Sequence, residues 1–123
     1  MLTITLKATN MELTPAIRSY AEEKTGMLQK MLTGEDECHA YVEVGQVTKH
    51  HQSGPIFRAE IALTTPQGSL RAEAEKEDLY AAIDIVKDEL MEELRKRKSK
   101  RTTLIKKGGR MFKDIIQKMA WWE

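Results

Sequence analysis

The chain has 123 residues, 41% of them hydrophobic, with one cysteine and three histidines, enough for one domain with a core and too little for a large multidomain enzyme. Cys38 alone excludes an internal disulfide, and with only His39, His50 and His51 beside it no metal and no other cofactor is expected. The formal net charge of +1 conceals a division: residues 1–94 carry 9 Lys and Arg against 17 Asp and Glu, a net −8, whereas residues 95–123 carry 11 against 2, a net +9.

An acidic body with a basic tail is the usual mark of a segment that meets a polyanion; the plainer alternative is a solvated tail folding back on its own body. No apolar run approaches the ~18 residues that span a bilayer. The start, MLTITLKATN, lacks the charged-then-apolar order of a secretory signal, so the expected location is cytoplasmic.

In chain order, Leu2, Ile4 and Leu6 alternate with Thr3, Thr5 and Lys7, the period-2 pattern of a strand with one buried face. Thr14-Pro15 opens a helix, because a threonine hydroxyl accepts an orphan N–H and proline at the first helical position has none to strand. Ile17, Ala21, Leu28 and Met31 or Leu32 carry that helix to about Leu32. Gly26 inside it predicts a softened last turn or an early end. Thr33-Gly34 and Glu35-Asp36-Glu37 form a loop. Cys38, Ala40, Val42 and Val44 make a second strand, Gln46 to Pro55 a loop, and Phe57, Ala59, Ile61 and Leu63 a third strand. Thr65-Pro66-Gln67-Gly68 is a tight turn, and Leu70, Ala72 and Ala74 make a fourth strand.

Glu77-Asp78 places anions at the positive end of a long helix in which Leu79, Ile83, Val86, Leu90 and Leu94 recur at spacings of four, three, four and four. The stripe stops at Leu94. The run Arg95-Lys96-Arg97-Lys98-Ser99-Lys100-Arg101 continues the helix for a turn or two. Thr102-Thr103 and Gly108-Gly109 read as linker points, and Phe112, Ile115, Ile116 and Met119 as a short amphipathic segment. The fold class is α+β, in the order β-α-β-β-β-α: a four-stranded mixed sheet, its first two strands parallel if adjacent, with two helices packed on one face. Residues 1–101 form the domain and 102–123 a basic amphipathic tail.

Phosphate binding needs fixed cations spaced along a backbone. Lys87, Arg95 and Lys98 recur at helical intervals beside the apolar stripe, and with the run through Arg101 they make a rail for sugar-phosphate rather than for base sequence. Tyr20 and Tyr80 read as packing residues. Tyr41, on the wet sheet face, is the better candidate for stacking on a base. Lys49-His50-His51 reads as an exposed loop. Cys38 and His39, adjacent in a strand, point to opposite faces, and no nucleophile with a base, split carboxylate pair or phosphate-cradling glycine loop occurs, so no enzyme is expected.

Two stretches, Asn10-Met11-Glu12-Leu13-Thr14-Pro15-Ala16-Ile17-Arg18 and Glu77-Asp78-Leu79-Tyr80-Ala81-Ala82-Ile83-Asp84, resemble signatures of the ribosome hibernation-promoting factor and ribosome-associated inhibitor A family, also called the sigma-54 modulation protein family. Thr65-Pro66-Gln67-Gly68 is similar to that family's hairpin. The resemblance covers residues 1 to about 101. It implies a stress-response factor that binds the small ribosomal subunit, lies on its 16S rRNA and blocks the channel of messenger and transfer RNA. Carried over by position, the family's basic residues on the first helix are matched by Arg18, Lys24 and Lys30, and those of the second helix and its end by Lys87, Arg95, Lys98 and Arg101. Met27 stands where the family often has a basic residue. The chain reads as a short form without a dimerising domain, so bridging of two ribosomes is not implied. For the tail, with Trp121-Trp122, ribosome contact ranks first, a ribosomal or other protein partner or self-association second, and a membrane last. The alternatives to a ribosome-bound inhibitor are a protein-interaction module working through its tail and a double-stranded RNA binder.

Overall fold

In the computed structural model the described residues are 1–32, 37–47 and 54–118, with side chains described through residue 98. Four strands and two helices follow the expected order: β1 Leu2–Thr9, α1 Pro15–Gly26, a 3₁₀ segment Met27–Met31, β2 Cys38–Val47, β3 Ile56–Thr65, β4 Gly68–Lys76 and α2 Leu79–Lys118. The sheet order is β1-β2-β3-β4. The β1-β2 pair, joined through α1, is parallel, and the other two pairs are antiparallel. The loops at 33–36 and 48–53, which include Lys49-His50-His51, lie outside the described residues, as do Trp121 and Trp122.

Local chemistry sets these boundaries. The Ile17 N–H donates to the Thr14 hydroxyl at 3.2 Å, and Pro15 occupies the first turn of α1. The Tyr80 N–H donates to the Asp78 carboxylate at 3.0 Å, which caps α2. In the hairpin between β3 and β4, the Thr65 hydroxyl accepts from the Gln67 N–H at 3.2 Å and donates to the Gly68 carbonyl at 2.9 Å. Gly68 has φ +138°, where a side chain would be strained. At Gly45 the neighbouring strand comes close: a Cβ there would stand 2.8 Å from the Thr9 carbonyl oxygen.

The alternation read from sequence becomes the two faces of the sheet. Ala40, Val42, Val44, Ala59, Ile61, Leu63 and Leu70 are buried against Ala21 and Leu28 of the first helical segment and Leu79, Ala82, Ile83, Val86, Leu90 and Leu94 of α2. Both helices therefore cover one face, and the other is open. Cys38 is buried on the core side, while the His39 ring lies 2.7 Å from the Thr5 hydroxyl on the open side.

One expectation holds and one changes. The first helix is regular only to Gly26 and then tightens into the 3₁₀ segment, as an internal glycine foretold. The long helix continues far past the expected turn or two: α2 holds 40 residues and passes unbroken through Thr102-Thr103 and Gly108-Gly109. At 1.5 Å per residue it spans about 60 Å.

Candidate nucleic-acid interface

Where α1 and α2 meet, Asp84 gathers the first polar cluster. The Tyr20 hydroxyl donates to its Oδ1 at 2.6 Å, and the Lys24 Nζ stands 3.8 Å from the same oxygen and 5.4 Å from the centre of the Tyr20 ring. Tyr20 also meets Tyr80 edge to face, with centroids 4.8 Å apart. The bond to the Asp84 carboxylate, followed by burial and by the charges of Asp84, Asp78 and Glu23, pushes the Tyr20 phenol up to about 12. Lys24 is thus turned inward as part of a clasp between the helices. Sequence reading named Lys24 as a cation and Tyr20 and Tyr80 as packing residues. It missed Asp84, whose signal is a carboxylate one helical turn from Tyr80 on a core-facing helix.

The remaining candidates divide by face. On an ideal helix Lys87, Arg95 and Lys98 fall within about 80° of one another, so the expected ridge exists along one flank of α2. Lys87 runs its stem against the protein, leaving the side chain 14% exposed, and its Nζ reaches the Asp88 carboxylate at 2.5 Å. Arg95 pairs with Glu92 at 2.6 Å. Lys98 is exposed. Two members of the run leave the ridge. Arg97, its side chain 18% exposed, pairs with Glu93 at 2.9 Å and lines a cleft with Ser69, Leu70 and Arg71 at the β4 edge, while Lys96 is exposed about half a turn from Lys87. The side chains of Lys100 and Arg101 lie outside those described, although their backbone continues the helix. On the first helical segment Arg18 and Lys30 are exposed, with Arg18 about a third of a turn around α1 from Lys24.

Pairing with Glu92 leaves the Arg95 side chain 60% exposed and within reach of a phosphate. The exposed Arg95–Glu92 pair contributes about 0.2–1 kcal/mol, and a guanidinium also forms charge-assisted, bidentate bonds with phosphate.

The open sheet face carries a second network that sequence reading did not foresee. Glu43, Glu60 and Glu73 stand directly opposite one another on β2, β3 and β4. Like charges so placed repel. Arg58 answers them by bonding Glu60 at 3.1 Å, Glu43 at 3.5 Å and Glu73, and Arg71 adds a contact to Glu60. Held first by Glu73, the Arg58 guanidinium is pushed above its usual range. Glu60 shares a strand face with Arg58, whereas Glu43 and Glu73, each 15 residues away along the chain, are brought to it by the strand register. Among the described residues no three of His, Cys, Asp and Glu cluster as metal ligands, and no helix is long and apolar enough to cross a membrane.

Residues 4–102 match the family model described as Sigma 54 modulation protein / S30EA ribosomal protein. The chain is 33% identical over 100 residues to the ribosome hibernation promotion factor of Lactococcus lactis subsp. cremoris (strain MG1363), covering 81% of this chain and 51% of that protein. It is 31% identical over 100 residues to the factor of the same name from Staphylococcus aureus (strain COL), covering 81% and 50%. It thus spans about half the length of the curated relatives it matches. Among solved structures, the N-terminal domain of Thermus thermophilus Protein Y superposes with a TM-score of 0.63 at 36% identity, over 74% of this chain and 92% of that one. A ribosomal subunit interface protein from Coxiella burnetii superposes with a TM-score of 0.59 at 20% identity, over 80% and 99%, which bears on the fold alone.

Proposed function

Because the chain belongs to the Sigma 54 modulation protein / S30EA ribosomal protein family, we propose that it is a ribosome-associated hibernation factor, acting in the cytoplasm without catalysis. It binds rRNA of the small subunit and occludes the channel for messenger and transfer RNA, by steric exclusion held with electrostatics. The observation that carries this reading is the course of α2: Leu94 is its last buried residue among the described side chains, and the cations from Arg95 onward follow on the same unbroken helix. A rigid rod can present charge to phosphates at a fixed spacing, which a flexible tail cannot. The names of the relatives, ribosome hibernation promotion factors, support the ribosome as partner.

Lys87, Arg95 and Lys98 form the rail, continued by Lys100 and Arg101. Arg18, Lys24 and Lys30 supply a second contact from the first helical segment, with Lys24 also serving the clasp. Lys96 and Arg97 serve neighbouring phosphates off the ridge. Residues 1–101 are the binding domain, and 102–123 are a functionally separate basic tail carried on the same helix.

The test replaces Lys87, Arg95, Lys98 and Arg101 together with glutamate. Ribosome co-sedimentation and inhibition of translation should both be lost while the thermal midpoint is kept; ribosome binding that survives overturns the reading. If about five to eight phosphates are neutralised, log affinity falls with log salt by roughly 0.7–0.9 per contact, and the quadruple variant flattens that slope.

A further inference from the structure

The open face of the sheet is divided along its strands. Register places Lys7, Glu43, Glu60 and Glu73 in one cross-strand row and Thr9, Gly45, Arg58 and Glu75 in the next, and these two rows hold all four carboxylates that the strands turn to this face. On the far side of them, the rows Thr3-His39-Thr64-Ser69 and Thr5-Tyr41-Ala62-Arg71 hold none. In the row that borders the acidic half stands Tyr41, 52% exposed. Its ring lies flat on His39, with centroids 4.0 Å apart and planes 18° apart, and the His39 ring is fixed in turn by the Thr5 hydroxyl at 2.7 Å. Across the strand the neighbour is Ala62, which offers only a methyl group. Beyond it comes Arg71, whose guanidinium reaches toward Glu60 and Glu73 at the border of the acidic half.

An aromatic ring already ordered on one side gives up little conformational freedom when a second ring covers the other side. We propose that Tyr41, backed by His39, is a stacking platform for one unpaired nucleobase of single-stranded RNA, on the sheet face opposite the two helices. The occupant follows from the surroundings. A base presents an uncharged ring to Tyr41 and polar edges to the hydroxyls of Thr3, Thr64 and Ser69. Its phosphates are kept to the acid-free end, because the rows of Glu43, Glu60, Glu73 and Glu75 repel them. A duplex is excluded, since its bases are already stacked on both faces. This site deepens the RNA-binding reading, on which it rests, and lies away from the α2 rail.

The 123-residue protein with a short single-stranded oligoadenylate, and with an RNA duplex of equal length, tests it by fluorescence anisotropy. Tyr41→Ala should weaken oligoadenylate binding about ten-fold or more, since stacking is worth that much per base. Tyr41→Phe, which keeps the ring, should bind as the parent does. The salt slope and duplex affinity of Tyr41→Ala should not change, because no cation is removed. Circular dichroism of Tyr41→Ala should match the parent at this exposed position. Equal oligoadenylate affinity in parent and Tyr41→Ala, no binding by the parent, or an equal loss on the duplex each overturns the platform. The ribosome reading fails separately, when charge reversal on α2 leaves ribosome binding intact.

Discussion

The two halves of α2 are one helix built by different means. From Leu79 to Leu94 the helix is fixed by burial: Leu79, Ile83, Val86, Leu90 and Leu94 are each at most 5% exposed, against β3, β4 and the first helical segment. From Arg95 to Lys118 basic residues outnumber the apolar ones, which return only at Leu104-Ile105 and from Met111, yet the backbone stays helical. Helix physics accounts for the difference. A nucleus is costly and each added residue is cheap, so a half nucleated by tertiary packing extends into sequence that would not form a helix alone. Each of Gly108 and Gly109 penalises the helix by about 1 kcal/mol, whereas a proline would penalise it by about 3. The packed half therefore sets the direction in which the charged half points.

The largest expected effect breaks the first half. Leu90→Ala removes a fully buried side chain from the middle of the core and should destabilise the domain by about 2–5 kcal/mol, read by urea or thermal unfolding. Removing residues 102–123 should shift the same unfolding curve by no more than about 0.5 kcal/mol while the helical signal falls in proportion to the residues lost. A large loss of stability on truncation would show that the distal half packs on the body and that the division at Leu94 is wrong.

A smaller effect tests the clasp that sets α1 against the packed half. Tyr20→Phe removes the bond to Asp84 and should be destabilising by about 1 kcal/mol at neutral pH. It should also change the alkaline limb. The Tyr20 phenol ionises near 10 in an unfolded chain and is pushed up to about 12 here, so between those values the folded state holds the proton and the unfolded state does not. The contribution is complete below pH 10 and is lost as the pH rises toward 12. The parent's stability should fall through that window more steeply than that of Tyr20→Phe, and ultraviolet titration should show one late-ionising tyrosine that the variant lacks.

The sequence made the sheet legible because strand alternation is local: Leu2-Ile4-Leu6, Cys38 to Val44 and Phe57 to Leu63 each declare a buried face without knowledge of their partners. The caps at Thr14 and Asp78 were legible for the same reason. The length of α2 was not, since propagation depends on the packed turns before it, whereas Thr102-Thr103 and Gly108-Gly109 read alone suggest breaks. At the candidate interface the cations could be named from sequence and their directions could not. Arg97 looks like its neighbours in a basic run, yet it turns to the β4 edge; Lys24 looks like a free cation, yet Asp84 lies 60 residues further along the chain and within 3.8 Å. The Arg58 network needs register, which alternation does not supply, whereas the Tyr41-His39 stack joins two residues of one strand face and was open to the same local reading.

The smallest effect touches neither packing nor charge and isolates the helical backbone itself. Gly26 ends α1 at φ −60° and ψ −24°, an ordinary right-handed conformation, and the Met27 N–H that follows it is shared between the Lys24 and Thr25 carbonyls. A Cβ at Gly26 would meet nothing within 4 Å. No positive φ and no close approach therefore requires glycine. What glycine contributes is freedom in the unfolded chain, and Gly26→Ala should stabilise the protein by about 0.5–1 kcal/mol, a rise of several degrees in the thermal midpoint. A fall instead would mean that the change from α to 3₁₀ geometry at Met27 depends on a backbone adjustment alanine resists, and that the first helix, unlike α2, is ended by its own sequence rather than by the packing of Leu28 beneath it.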